Sequence, residues 1–266
     1  MNTSSRLPAI FIGHGSPMAA FEDNQYTRGW ADIAARLPRP RAIVCVSAHW
    51  YTQGTGVTAM AQPRTIHDFY GFPDELYQYH YRAAGDPHLA HEVAQLLAPL
   101  PVVEDQQWGL DHGSWTVLKH MYPQADIPVL QLSIDGTQPP QWHYDLGRRL
   151  SVLREQGVLL MGSGNVVHNL RQMRRAGDAP AHAWAESFNR QVRAGIEQHD
   201  HEALIDYQRF GDDAKLSVPT PEHYLPLLYV LGASHADESV RIPIDDVSIG
   251  SISMLSVVVG DVPASQ

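Results

Sequence analysis

The sequence predicts an α/β fold with its chemistry at the carboxyl ends of the strands. Three observations lead there. Short apolar runs alternate with segments of helical spacing, as in strands joined through helices. Three strand candidates pass from an apolar run into small residues and then a histidine, the place where open α/β sheets bind ligands. The apolar fraction, 44% of 266 residues, suffices for one sizeable core. A second domain is permitted by the length but not required.

The elements follow in order. Ala9–Ile12 reads as a first strand. Ala42–Ser47 is almost wholly apolar and reads as a strand buried on both faces. Val57–Met60 is a third. His88–Leu97 has helical spacing, Pro101–Val103 reads as a short strand, and Ser114–Met121 as a helix. Pro128–Ser133 is another strand. Gln141–Glu155 is a helix closed by Gly157. Val158–Met161 is a strand ending in Gly162-Ser163-Gly164, and Ala183–Gln198 is an amphipathic helix. Thr220 reads as a helix N-cap, with Pro221 at the first helical position and Glu222 at the positive end of the dipole; that helix runs through Leu225, Leu228 and Leu231 to Gly232. Ser251–Val259 reads as a last, central strand, with a frayed tail after Gly260.

Composition excludes several functions. The net charge of −10, with no Lys/Arg run longer than a pair, argues against nucleic acid. The single Cys45 permits no intrachain disulfide and no Cys-pair zinc site, and in its apolar run it reads as a core residue. No signal-like or membrane-spanning apolar stretch opens or interrupts the chain, so a cytoplasmic protein without a membrane partner is the expectation. There is no P-loop and no Gly-x-Ser-x-Gly elbow.

Histidine is the unusual residue: 15, against 19 Lys and Arg together. The first strand ends Gly13-His14-Gly15, the second Ser47-Ala48-His49, and a later one runs Gly164-Asn165-Val166-Val167-His168. Each alone has a plain reading as a hydrogen-bonded loop residue; together at three strand ends they suggest convergence on one ion. His112 is a fourth candidate, in Asp111-His112-Gly113-Ser114-Trp115, where Asp111 also reads as a helix cap. His223 is a fifth, in the first turn of its helix, where the dipole favours a neutral, metal-binding imidazole. Glu222 beside it is the rival ligand, since adjacent helical side chains point about 100° apart. His67 sits in an aromatic-rich loop, Thr65–Pro73, able to line or cover a pocket; the remaining histidines read as residues of helix faces or polar loops. A histidine-rich, cysteine-free ligand set fits zinc or non-haem iron.

Together, Gly13-His14-Gly15-Ser16-Pro17, Ser47-Ala48-His49-Trp50, Asp111-His112-Gly113-Ser114-Trp115, Gly164–Leu170 and Thr220-Pro221-Glu222-His223-Tyr224 resemble the class III extradiol dioxygenases, the LigB-like superfamily, and within it the DOPA 4,5-dioxygenase type. The motifs occur in the family's order from residue 7 to about 260. The resemblance implies one catalytic domain over 1–266, with a mixed central sheet flanked by helices. It implies a metal held by His14, His49 and a third ligand, His223 with Glu222 as alternative. His168 matches the family's base, and becomes a possible fourth ligand when zinc is bound. His112 is implied to hydrogen-bond developing charge or donate a proton. The implied cofactor is non-haem Fe(II), with Zn(II) able to occupy the site, and the implied substrates are a catechol, such as L-DOPA, and dioxygen. Arg64, His67 and Tyr70 are candidates to read the substrate's tail. A zinc hydrolase on the same histidines, and a non-enzymatic binding protein like the Memo family, are the rival readings. Neither the specific catechol nor the oligomeric state is legible.

Overall fold

The computed structural model describes residues 6–174 and 180–261. The strands are β1 Ala9–Gly13, β2 Ala42–Thr52, β3 Thr55–Thr58, β4 Val102–Asp105, β5 Val129–Asp135, β6 Val158–Gly164, β7 Val240–Ile244, β8 Val247–Ser248, β9 Ile252–Ser253 and β10 Ser256–Val259. The helices are α1 Gln25–Arg36, α2 Asp74–Gln78, α3 Pro87–Leu96, α4 His112–Met121, α5 Pro140–Leu150, α6 Val152–Glu155, α7 Ala183–Glu197, α8 His201–Ile205, α9 Asp212–Ser217 and α10 Leu225–Gly232. Among the described residues, no helix is long and apolar enough to cross a membrane.

Eight strands form one sheet in the order β4-β3-β5-β2-β6-β1-β10-β7. β5, β2, β6 and β1 are parallel, while β3 and β10 join them antiparallel. The sheet is therefore mixed, as expected. Successive side chains point to opposite faces, so the sheet carries two cores. Ile10, Ile12, Ile43, Cys45 and Met161 pack with Trp30 of α1 and Trp115 of α4. Ala9, Phe11, Val44, Val46 and Leu160 pack on the other face with Leu146 of α5, Phe188 of α7 and Leu228 of α10. Both faces are covered, which is why the central strands read as unbroken apolar runs.

This topology builds the site. The chain leaves β1, crosses to β2, continues to β5, and returns through α5 and α6 to place β6 between β1 and β2. The carboxyl ends of β1, β6 and β2 thus lie side by side.

Several expected elements shift. β2 does not end at Ser47 but runs to Thr52, with a register break against β5 between Val46 and Tyr51. His49 therefore lies within the strand, in the stretch where its register against β5 breaks, and not beyond its end. The helix expected from Thr220 begins at Leu225, and Thr220–Tyr224 forms a turn before it. Pro226 explains this: lacking an N–H, it is tolerated only in a helix's first turn. Thr220 caps no helix; its hydroxyl donates to Glu222. The expected last strand divides into β9 and β10, and β10 is next to the sheet edge instead of central. Helix α1, announced by the Asn24/Thr27 capping box, was not among the expected elements. The tail expected to fray lies, beyond Asp261, outside the described residues.

The opposite end of the sheet is locked by one buried ion pair. Arg154 of α6, fully buried, donates to Glu238 at 2.9 Å and to the carbonyls of Leu7, Ala233 and Val259. Glu238→Ala leaves that guanidinium buried without its carboxylate, and the expected cost is about 3–5 kcal/mol, read by denaturant unfolding. Leu7 is roughly 20 Å from His14 along an extended chain, so metal stoichiometry in the folded variant is expected to match the parent.

Candidate metal centre

His14 follows β1 directly, and its backbone N–H donates to the Gly164 carbonyl of β6 at 3.2 Å. Its Nδ1 lies 3.0 Å from Ser163 Oγ. That hydroxyl donates its own proton to the Gly113 carbonyl, so it accepts from His14 Nδ1–H. The proton is thereby fixed on Nδ1 and the lone pair on Nε2.

His49 repeats the arrangement. Its Nδ1 is 3.1 Å from Asp68 Oδ2, while its Nε2 faces His14 Nε2 at 3.1 Å. His223 does so a third time. Its Nδ1 is 3.3 Å from Glu222 Oε1, and its Nε2 is buried without a hydrogen-bond partner. Its ring centroid is 5.5 Å from that of His14 and 5.1 Å from that of His49. Three imidazoles are thus anchored through Nδ1 to an oxygen, which leaves Nε2 as the nitrogen available to an ion.

The segment bearing His223 is pinned to β6. Asn165 N–H donates to the His223 carbonyl at 2.9 Å. Gly164 makes this approach possible, since a Cβ there would lie 2.2 Å from that carbonyl oxygen. His168, held by its backbone N–H to Ser217 O, stacks on His223 with centroids 3.5 Å apart and planes 7° from parallel.

His112 is the first residue of α4, not the residue before it, and Asp111 is the N-cap, accepting from Ser114 N–H. The helix-terminus effect expected for His223 therefore acts on His112 instead. His112 Nδ1 is 2.9 Å from Asp68 Oδ2, and its backbone N–H donates to Asp68 Oδ1 at 2.9 Å. One nitrogen from each of His14, His49 and His112 lies within 4.8 Å of the others. All five expected histidines are thus brought to one place. Phe69, edge-on to His112 at 5.6 Å, supplies an aromatic wall.

Burial sets the electrostatics. Desolvation, then the neighbouring imidazoles, push His14 and His223 well below the usual histidine range. The same causes lower His112, and bring His168 down to about 4. His49 is the exception: burial works to lower it, but the hydrogen bond to Asp68 and the charges of Asp111, Asp68 and Glu222 outweigh that and raise it. Burial favours a neutral Asp68, yet its contacts with His112 and His49 hold it well below the usual carboxylate range.

The donor set fits a divalent metal. Two acceptor nitrogens facing each other at 3.1 Å repel unless a proton or cation lies between them, and this is the spacing of neighbouring nitrogen donors each about 2.1 Å from one ion. The orphaned His223 Nε2 makes the same demand, because a buried polar atom without a partner is costly. The remaining candidates lie apart. His67 is bonded to the Tyr79 carbonyl and Arg64 to that of Trp108, while Tyr70 is exposed. Surface grooves of about 480 Å³ between α1 and β7, and about 520 Å³ along residues 62–65 and 80–84, include none of the five clustered histidines. Ser163, Asp68 and Asn165 were not singled out from sequence; only the small residues closing β6 hinted at the first.

Four site histidines with lowered values, joined by His120, His143 and His201 outside the site, make the metal-free fold acid-sensitive. Between their unfolded value near 6.5 and the folded value of about 4 for His168, the unfolded chain binds more protons. Stability from these groups is present above pH 6.5 and is lost as pH falls towards 4; His49 alone has the opposite sign. The melting temperature of the metal-free protein is therefore expected to fall steeply between pH 6.5 and 4.5, and a flat profile would contradict this.

Comparison with known proteins places the chain. Residues 8–260 match the family described as the catalytic LigB subunit of aromatic ring-opening dioxygenase. A protein of Escherichia coli (strain K12) named 4,5-DOPA dioxygenase extradiol is 54% identical over 97% of this chain and 96% of its own. One of the same name from Beta vulgaris is 38% identical over 85% and 86%. The crystal structure of an uncharacterized protein from Escherichia coli K12 superimposes with a TM-score of 0.85 at 50% identity, covering 96% of this chain and 100% of that one. A mixed sheet that gathers five histidines at the ends of β1, β2 and β6 thus sits in a chain that belongs to the LigB family of aromatic ring-opening dioxygenases.

Proposed function

We propose that this protein holds one non-haem Fe(II) ion through Nε2 of His14, His49 and His223, and uses it to open a catechol ring by extradiol cleavage with dioxygen. L-DOPA, cleaved at the 4,5 bond, is the proposed substrate, on the strength of the relatives' names. The carrying observation is the buried, unpartnered Nε2 of His223 beside the His14–His49 pair. Glu222 serves as the oxygen that orients His223, and not as a ligand, because its Oε1 is taken by Thr220 and His223.

Bound Fe(II) supplies the redox chemistry that lets catechol electrons reach dioxygen, which zinc cannot supply. Zn(II) fits the same nitrogens, with His168 as a fourth donor, and would give an inactive form. The chain's own groups handle the protons. His168 is neutral at pH 7, since burial brings it to about 4, so its ring can accept a hydroxyl proton from a catechol whose acidity a bound cation would raise. Its stacking on His223 holds it beside a ligand. His112, with Nδ1–H on Asp68, offers Nε2 as an acceptor first. It donates to developing charge only after gaining a proton. Both oxygen atoms enter the product, a ring-opened semialdehyde.

The 4.8 Å cluster of His14, His49 and His112 favours a second ligand set, with His112 in place of His223. Variants separate the two. His223→Ala is expected to lose Fe(II) binding by at least about 100-fold, the upper end of what an outer-shell partner is worth. Glu222→Ala is expected to lose about 10-fold, and His112→Ala to keep the metal but lose turnover. Metal loss in His112→Ala with retention in His223→Ala selects the second set.

Anaerobic Fe(II) loading followed by L-DOPA and air tests the reaction. One dioxygen consumed per catechol, with a yellow product, is expected. His168→Ala is expected to retain iron and lower kcat by roughly 10²–10⁴-fold. No oxygen uptake with any catechol would overturn the proposed activity.

A further inference from the structure

Asp68 has no assigned part in the chemistry, yet two of the five histidines meet on it. Its Oδ2 lies 3.1 Å from His49 Nδ1 and 2.9 Å from His112 Nδ1. Its Oδ1 accepts the His112 backbone N–H at 2.9 Å. A carboxylate oxygen has two lone pairs, so Oδ2 can take one N–H from each ring. Both rings then carry hydrogen on Nδ1 and leave Nε2 free of Asp68.

The segment that carries the carboxylate is held in place by its backbone. Thr65 bridges to Leu110, and Ile66 N–H donates to the Leu110 carbonyl at 2.7 Å. Trp115 Nε1 donates to the Ile66 carbonyl at 2.9 Å. The segment carrying Asp68 is thus fastened to the start of α4, which carries His112. Of the other carboxylates nearby, Glu222 is taken by Thr220 and His223, and Asp111 is fully buried and hydrogen-bonded to Ser47, Gln131 and Ser114.

We propose that Asp68 is a positioning residue that sets the tautomers of His49 and His112 together, through one shared oxygen, so that the metal-binding ring and the proton-handling ring each keep an unprotonated Nε2. The inference rests on His49 as a ligand. Without Asp68, His49 loses the partner that aims it and raises its basicity. His112 loses the one acceptor its Nδ1–H has among the described residues and is free to adopt the other tautomer.

The test uses metal binding and tautomer state, not turnover. Co(II) is titrated into the metal-free full-length protein and followed by its visible absorption. Asp68→Ala is expected to weaken binding about 10–100-fold. Asp68→Asn keeps the shape but places an amide where one N–H acceptor stood, and is expected to weaken it about 10-fold. Nitrogen-15 spectra of the zinc-loaded proteins are expected to show His112 as Nδ1–H in the parent and substantially as Nε2–H in Asp68→Ala, a change that a merely structural role would not produce. His14→Ala is the control. Parent-like Co(II) binding and an unchanged His112 tautomer in both Asp68 variants, with binding lost in His14→Ala, overturn the role of Asp68 alone. Parent-like binding in His14→Ala overturns the ligand set on which it rests.

Discussion

The site depends on one constraint: several imidazoles buried against each other must stay neutral. Water is excluded and each neighbour penalises a proton, so His14, His112, His168 and His223 are all held below the usual range. Neutral rings carry one donor and one acceptor nitrogen. Ser163 and Glu222 take the donor sides of His14 and His223, and Asp68 takes that of His49, whose proton affinity its charge raises. The acceptor sides are left to face one another, an arrangement that a cation relieves. Local hydrogen bonding thus dictates what the site can hold.

The sheet supplies the convergence. β6 lies between β1 and β2, and within the register break of β2 His49 faces His14. Gly164 and Asn165 draw the His223 turn against the end of β6. No two of these three rings come from the same element. The opposite end of the sheet, closed by Arg154 and Glu238, has no part in the chemistry, so stability and activity are assigned to separate ends.

Much of this was legible in the sequence. Apolar runs ending in small residues located β1 and β6, and with them His14 and His168. Position within the element was harder. His49 lies inside a strand because β2 continues past its apolar run, which no periodicity signals. The start of α10 was misplaced because Thr220 and Pro221 form a good start signal and Pro226, a better one, lies five residues on. Asp68 left no signal and Ser163 only its place among the small residues closing β6: each meets its histidine across a long stretch of chain, and only the folded sheet pairs them. The family resemblance, by contrast, was carried by five local motifs and needed no contact information.

The central claim is that one ion sits on Nε2 of His14, His49 and His223, with Nδ1 of each on its oxygen. Anomalous diffraction at the iron edge from anaerobically loaded crystals tests it most directly. The expected result is a single peak bonded to those three nitrogens, with Ser163, Asp68 and Glu222 still on the Nδ1 atoms. A peak bonded to His112 in place of His223, or no peak among these rings, would contradict it.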